Sequence, residues 1–189
     1  MASLLCKFLA VWFLASSWIS SSCQVINRSQ SISHPGESKI KRHIFWDSIP
    51  NPVGYVNDYE NIFSDEEERI LDSIIADFEN KTSVQIAVLS FDASMTTADS
   101  LDELTLRFAN HWGIGQKNKN NGIAIGISKG NKRMRIQNGK GITQYLSDTE
   151  TKAIIDKDFI PLFRYGNYFQ GTINGLSGIM KILLERNVQ

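Results

Sequence analysis

The spacing of apolar residues divides the chain into helical and extended segments. Four stretches place apolar residues three and four positions apart, which gives a helix one apolar face. These stretches begin at Ser64, at Thr97 or Ala98, at Ser147 and near Tyr168. Two of them open with a serine followed three positions later by Glu67 or Glu150, the pattern of a capping box. We expect the third helix to be broken near Pro161, because proline disrupts a helix interior.

Three further segments have the composition of strands. They are Val84–Phe91, Gly122–Ile127 and Arg133–Gln137. The first two are apolar nearly throughout, as in strands buried on both faces, whereas the third alternates and exposes one face to solvent. The order α-β-α-β-β-α-α predicts an α/β fold, a layered α/β/α domain with a short mixed sheet flanked by helices on both faces. Gly171, Gly175 and Gly178 predict that the last helix packs closely against the sheet.

Residues 1–22 have the pattern of a secretory signal peptide. Lys7 precedes the apolar run Phe8–Ala15, and the small polar run Ser16–Ser22 follows it. The apolar run is shorter than the roughly 20 residues that a membrane-spanning helix needs. We therefore expect an exported protein, located in the periplasm or cell envelope and cleaved near Ser22 or Cys23.

Residues 23–52 have the composition of a polar linker, and residues 53–187 form the predicted domain. Cys23 stands where a bacterial lipoprotein would be cleaved and acylated, so lipidation and plain cleavage both remain open. Cys6 is the other cysteine, so the mature domain contains no disulfide. The basic cluster at residues 39–43 is too short to indicate nucleic acid. The segment His43–Trp46 is expected to dock on the domain, because an exposed aromatic pair would be a liability.

Composition excludes several classes of function. The chain has 20 basic and 20 acidic residues, so no net charge attracts nucleic acid. The three histidines lack metal-binding spacing, and the sequence contains no serine-nucleophile elbow and no Walker or dinucleotide motif. Arg133 and Arg135, with Lys132 beside them, could bind an anion or could simply serve solubility.

Five short motifs occur in a particular order from about Tyr55 to Leu184. They are Val56-Asn57-Asp58-Tyr59, Trp112-Gly113-Ile114-Gly115, Asn121-Gly122, Gly139-Lys140-Gly141-Ile142 and Gly166-Asn167-Tyr168. Their order and spacing resemble the TPM domain family, which comprises small α/β domains of bacterial envelopes and thylakoid lumens. Members of that family have been described as acid phosphatases, as divalent-metal binders and as accessory factors for membrane complexes.

The resemblance also marks candidate site residues. The family's usual acidic pair is replaced here by Asn120 and Asn121, and the acids that often follow the glycine turn and precede the closing tyrosine are replaced by Thr143 and Asn167. The resemblance thus implies a weak site for Ca²⁺ or another divalent cation, because oxygen ligands remain while about three negative charges are lost. Its candidate ligands are Asp58, Asn120, Asn121, Asp148 and Asn167.

Other roles compete for these residues. Asn120 and Asn121 suit a turn, and Asp148 would complement a helix dipole. Asp58 is expected in a loop. A role as a ligand or in a polar network and a role as a solvated surface residue both remain open for it. The leading interpretation is an exported, non-catalytic accessory factor for an envelope protein or membrane complex, with membrane association through its tether. The alternative is a metal-assisted acid phosphatase that uses Asp58 and Asp148.

Overall fold

A four-stranded mixed sheet forms the centre of the structure, a computed structural model that describes residues 46–188. The strands are β1 (Val56–Asp58), β2 (Gln85–Ser90), β3 (Gly122–Ser128) and β4 (Arg133–Asn138), in that order across the sheet. β1, β2 and β3 are parallel, and β4 is antiparallel to β3. The predicted α/β fold with a mixed sheet is confirmed.

β1 is the strand that sequence patterning did not predict. It has only three residues, too few for an alternation of apolar and polar positions to stand out. The expectation that Asp58 lies in a loop was therefore wrong: Asp58 is the last residue of β1 and pairs with Ser90.

Helices surround the sheet. They are α1 (Asp65–Thr82), α2 (Leu101–Trp112), α3 (Asp148–Ile154), α4 (Ile160–Phe163) and α5 (Tyr168–Glu185). Both predicted capping boxes are confirmed: the hydroxyls of Ser64 and Ser147 accept the N–H groups of Glu67 and Glu150, whose carboxylates accept the serine N–H groups in return. No helix within residues 46–188 is both long and apolar enough to cross a membrane.

Helices cover both faces of the sheet, as the layered fold predicts. On one face α1 and α5 pack through Ile75 and Leu176 into the larger apolar cluster, which includes Val88 and Ile125 of the central strands. On the other face α2 packs against the sheet. Its cluster contains Ala87, Leu89, Phe91, Leu101, Leu104, Phe108 and Ala124. The two central strands are therefore buried on both sides, which explains their nearly continuous apolar sequence.

The segment before β1 is attached to this second face. Trp46 and Ile49 pack against the α2 cluster, and the Trp112 indole N–H donates to the Pro50 carbonyl at 2.7 Å. The Arg107 guanidinium lies 5.1 Å from the centre of the Trp46 ring. The expected docking of Trp46 is confirmed. The predicted signal peptide, Cys23 and the basic cluster at residues 39–43 lie outside the described residues.

The helix that contains Pro161 is not broken there, contrary to expectation. A π-helical turn, Ile155–Phe159, joins α3 directly to α4, and Pro161 is the second residue of α4. Proline has no N–H group, and its ring crowds the carbonyl four residues earlier in a helix. The π-helical turn, which is wider than an α-helical turn, lies directly before the short helix that contains Pro161. The helical path therefore continues until Phe163.

The glycines of α5 pack against helices and not against the sheet, which corrects a second expectation. A Cβ atom on Gly175 would stand 1.8 Å from the Phe159 ring, and one on Gly171 would stand 2.6 Å from Phe163. Glycine is required at these positions because α5 lies directly against the aromatic side chains of the π turn and α4.

Candidate functional site

The five predicted ligands lie at opposite ends of the sheet. Asp58 pairs with Ser90, which pairs with Ile127, so these residues mark the carboxyl end of the parallel strands. Asn121 directly precedes Gly122, which pairs with Gln85 at the amino end. Ile127 is six positions after Asn121 along β3, a distance of about 20 Å at the rise of an extended strand.

Asp58 belongs to a polar network at the carboxyl end of the sheet. One carboxylate oxygen accepts the Phe63 N–H at 2.8 Å, and the other accepts a short hydrogen bond from the Ser90 hydroxyl. Ser90 is fully buried and in turn accepts the Glu60 N–H at 2.8 Å. The Asp58 carboxylate thus holds the connection between β1 and α1 in place.

Asn121 is engaged in internal hydrogen bonds at the amino end. Its side-chain oxygen accepts the Gln116 N–H at 2.8 Å, and its amide nitrogen donates to the Ser83 carbonyl at 2.8 Å. The side chain is only 3% exposed. A buried amide that donates and accepts in this way cannot be replaced by a carboxylate without losing the donor.

Asn120 has the turn conformation that its sequence context indicates. Its φ is +48°, and its carbonyl accepts the Gly141 N–H at 3.0 Å. A Cβ atom on Gly141 would stand 1.9 Å from the Lys119 carbonyl oxygen. The glycine turn that follows β4 therefore fits directly against the loop before β3 because it lacks side chains.

Asp148 and Asn167 lie at different ends of the sheet. Asp148 is exposed in the first turn of α3, and Thr151 of the same turn accepts a hydrogen bond from Asn138 at the amino end. Asn167 caps α5, with its side-chain oxygen accepting the Gln170 N–H at 3.3 Å. Asn167 stands between Gly166 and Tyr168, which line a cavity at the carboxyl end.

These positions do not form one ligand set for a divalent cation. Such a cation needs several oxygens directed at one point. Asn120, Asn121 and Asp148 are at the amino end, while Asp58 and Asn167 are at the carboxyl end. Within residues 46–188, no three histidine, cysteine, aspartate or glutamate side chains are grouped so as to hold a metal ion. Burial and the negative charges of Asp58, Asp65 and Asp72 raise the pKa of Glu68, so other carboxylates do lie near Asp58.

Glu60 joins two loops at the carboxyl end, a role with no signature in the sequence. Its carboxylate accepts the N–H groups of Lys129 and Gly130 at 2.6 and 2.7 Å, in the turn between β3 and β4. Burial raises the pKa of Glu60, and these two hydrogen bonds act against the increase. A single glutamate in a short loop resembles any surface residue, so only the fold reveals this contact.

A cavity of about 810 Å³ opens beside this turn. It lies between the β3–β4 turn and the turn that joins α4 to α5. Its apolar lining consists of Ile127, Met134, Ile160, Phe163 and Tyr168, and its polar lining adds Ser128 and two glycines. The Phe163 and Tyr168 rings are 4.8 Å apart, so aromatic surface forms part of the wall. This volume is in the range that binds small ligands or a few side chains of a peptide.

Four basic residues surround the cavity, and no acidic residue lines it. They are Lys129, Lys132, Arg133 and Arg164. The Lys129 ammonium lies 6.0 Å from the centre of the Tyr168 ring. Burial, followed by the nearby negative charge of Glu60, raises the pKa of Tyr168, so its hydroxyl stays neutral at physiological pH. The cavity thus combines apolar walls with a positively charged rim.

Sequence analysis singled out part of this rim but could not identify the cavity. Lys132 and Arg133 line it, whereas Arg135 approaches Asp102 of α2 at 3.6 Å. No motif or spacing in the sequence marks Lys129 or Arg164 as site residues, and Tyr168 ends a family motif without being one of its candidate ligands. They come from segments more than 30 positions apart that meet only because α4 and α5 fold back over the β3–β4 turn.

The chain matches the model of the TPM domain over residues 56–182, about two thirds of its length. No curated protein matches the chain. Several solved structures do. One is the N-terminal domain of a P. gingivalis protein, at 27% identity and a TM-score of 0.62, with 70% of this chain and 83% of that chain covered.

Two further structures share the fold at lower identity. The BA42 protein of the psychrophilic bacterium Bizionia argentinensis has 22% identity and a TM-score of 0.59, covering 69% of this chain and 87% of its own. The N-terminal domain of the cg2496 protein of Corynebacterium glutamicum has 12% identity and a TM-score of 0.51, covering 71% and 83%. Together with the matched motifs and the mixed α/β sheet, the extent of the family match leads to one conclusion: the chain belongs to the TPM domain family.

Proposed function

We propose that this TPM domain is an exported, non-catalytic binding or accessory factor for an envelope protein or membrane complex. The observation that carries the proposal is the chemistry of the cavity at the carboxyl end of the sheet. Its lining consists of apolar side chains, the Ser128 hydroxyl and four basic side chains, without a carboxylate, histidine or cysteine. Such a lining favours the capture of an anionic ligand, because the basic side chains attract negative charge and no carboxylate or histidine base in the lining accompanies Ser128.

The distribution of acids weighs against the phosphatase alternative. Asp58 lies at the same height in the sheet as Ile127 of β3. Asp148 lies in the first turn of α3, which contacts Asn138, and Asn138 pairs with Ile123 of β3. The two acids are therefore separated along the sheet by the distance from Ile123 to Ile127. Four residues of β3 span about 13 Å. A metal-assisted phosphoryl transfer would need its carboxylates to converge on one metal cluster, and this separation does not favour that arrangement.

Any divalent cation is proposed to bind weakly. At the amino end, the Asn121 amide is engaged with Ser83 and Gln116, and Asn120 adds no charge. Oxygen sites with few carboxylates bind calcium with dissociation constants of roughly 10⁻⁴–10⁻³ M. We therefore assign the cation no step in the proposed function.

Export is supported by the N-terminal pattern of a single lysine, a short apolar run and small residues. Residues 24–45 would then connect the domain to its cleavage site. With Cys23 acylated, this connection would tether the domain to a membrane, which suits an accessory factor for a membrane complex.

We predict that the purified mature protein has no phosphatase activity that depends on Asp58 and Asp148. Its hydrolysis of a generic phosphate monoester, with millimolar magnesium or calcium present, should equal that of the Asp58→Asn/Asp148→Asn double variant. Asp77→Asn, an exposed change in α1, controls for the loss of an acid. Circular dichroism establishes that each variant is folded. Turnover that is present in the wild type and in Asp77→Asn but lost in the double variant would establish the phosphatase instead.

We predict that Asn121→Asp lowers the free energy of unfolding by about 1–3 kcal/mol, because a buried carboxylate would face the Ser83 carbonyl with no proton to donate. Asn120→Asp adds the same charge in an exposed position and should change stability by less than about 0.5 kcal/mol. Urea denaturation of both variants measures the difference. Equal stability of the two variants would contradict the structural role of Asn121.

Millimolar calcium should raise the stability of the wild type by a few tenths to about 1 kcal/mol. The increase should be larger in the Asn120→Asp/Asn121→Asp double variant if the loop still holds a cation. Calorimetric titration provides the direct measurement. Micromolar calcium affinity of the wild type would refute weak binding, and an unchanged calcium effect in the double variant would remove this loop as a candidate site.

Acylation of Cys23 predicts membrane attachment through this residue. If Cys23 is acylated, the mature protein should partition into detergent in the native host, and Cys23→Ser should release it into the soluble fraction. Cys6→Ser serves as the matched control, because Cys6 lies within the predicted signal peptide and would be removed. Wild-type protein that remains soluble after fractionation of the membranes would rule out lipidation while leaving export possible.

A further inference from the structure

We propose that the cavity at the carboxyl end of the sheet binds an acidic peptide segment of a partner protein, with one apolar side chain of that segment inserted between the cavity walls. This inference rests on the proposed binding function and specifies the chemistry of the partner.

The rim of the cavity is positively charged. The side chains of Lys129, Lys132, Arg133 and Arg164 are exposed, and within residues 46–188 none of them lies within 4 Å of a carboxylate oxygen. Lys129 does have a carboxylate nearby, because its charge acts against the rise in the pKa of Glu60. Other basic residues in this part of the chain do form ion pairs with carboxylates, among them Arg135 and Arg186. The whole chain is electrically neutral, so this concentration of charge is local. A positive patch of this kind attracts and orients a negatively charged partner.

The walls of the cavity are apolar. Ile127 is buried at its base, while Met134, Phe163 and Tyr168 are half-buried around it. A ligand that carried only negative charge would leave this apolar surface in contact with water. Burying one apolar side chain there would remove this surface from water and so stabilise the complex.

The rim also carries an exposed aromatic residue. Tyr165, in the turn between α4 and α5, is 89% exposed and stands between Arg164 and Gly166, which both line the cavity. Gly166 has a φ of +78°, so the turn has a defined left-handed conformation. Tyrosine and arginine are the residue types that most often dominate binding energy in protein interfaces. Their position beside an apolar cavity fits a protein ligand.

Two backbone N–H groups beside the cavity already donate to a side chain, which favours a peptide as the ligand over a compact phosphate group. A phosphate site usually directs several N–H groups at one point. Here the N–H groups of Lys129 and Gly130 donate to Glu60, and the Asn167 side chain caps α5. The lining also offers the hydroxyls of Ser128 and Tyr168 and the long, exposed side chains of the four basic residues. These long side chains can adapt to carboxylates spread along an extended segment.

The chain's own tether is not a suitable occupant. Residues 39–43 contain Lys39, Lys41, Arg42 and His43, which would bring positive charge to a positive rim. The occupant is therefore expected from another protein. A second copy of this chain offers the acidic start of α1, Asp65–Glu68, and the experiment below distinguishes that case.

The test uses the mature full-length protein and three fluorescent probe peptides. The first carries a central phenylalanine flanked by glutamates, the second replaces that phenylalanine with serine, and the third replaces the glutamates with lysines. Fluorescence anisotropy at low salt should show saturable binding of the first peptide only. Raising the salt concentration should weaken the binding, because the rim charges are exposed and are screened by ions.

Charge-reversal variants locate the binding. Lys129→Glu/Arg164→Glu should raise the dissociation constant by about tenfold or more, because attraction becomes repulsion at the rim. Lys117→Glu/Lys140→Glu makes the same change in exposed loops at the amino end and should alter it by less than about twofold. Tyr165→Ser should weaken binding without affecting folding, since this side chain makes little contact with the core.

The remaining outcomes each have a definite consequence. Equal binding of the phenylalanine and serine peptides would contradict the insertion of an apolar side chain into the cavity. If vesicles containing anionic lipid bind and none of the peptides does, the ligand is a membrane surface and not a peptide. Self-association in sedimentation experiments, abolished by Lys129→Glu/Arg164→Glu, would replace the partner by a second copy. A failure of peptide binding combined with no phosphatase activity refutes only this inference, whereas carboxylate-dependent phosphatase activity refutes the proposed function itself.

Discussion

Hydrogen bonds from the backbone to two carboxylates organise the carboxyl end of the sheet. Asp58 fixes the loop after β1, and Glu60 connects that loop to the turn between β3 and β4. Glu60 is half-buried, and its two bonds to the turn act against the cost of that burial. The neighbouring cavity has only basic residues in its charged lining, and Glu60 holds the turn from which Lys129 and Lys132 project.

The amino end of the sheet is held by neutral groups instead of carboxylates. There, neutral amides and glycines allow two loops to approach closely, with the buried Asn121 side chain bonded to both neighbouring segments. An amide donates and accepts, so one side chain can join a carbonyl to an N–H group. Asn121, one of the two asparagines that replace the acidic pair implied by the family resemblance, is held by internal hydrogen bonds to Gln116 and Ser83. The amino end of the sheet is thus held by neutral amides and glycines, whereas the carboxyl end is held by carboxylates. The cavity lies at the carboxyl end, which we propose as the functional end.

Local patterns made much of the fold predictable. The capping boxes at Ser64 and Ser147 gave the starts of α1 and α3, because a cap depends on residues three positions apart. The buried strands β2 and β3 were equally clear from their apolar sequences. β1 was missed because three residues carry too little pattern, and the continuation through Pro161 was missed because a π turn has no sequence signature.

The candidate site was much less predictable, because it depends on contacts between distant segments. Asp58 and Asn121 both belong to family motifs, yet their separation is set by the length of β3. The cavity forms where residues 127–134 meet residues 160–168, and no spacing within either segment indicates that meeting. Arg133 and Arg135 are two positions apart on one strand, but only the fold shows that Arg133 lines the cavity while Arg135 approaches Asp102.

The most direct test of the account is a map of backbone amide chemical shifts, recorded by NMR while the acidic, phenylalanine-containing peptide is added to the protein. The account predicts that the largest changes fall in residues 127–134 and 160–168, with Asn120, Asn121 and Asp148 nearly unaffected. Changes concentrated at the amino end of the sheet, or around Asp58 away from the cavity, would contradict it.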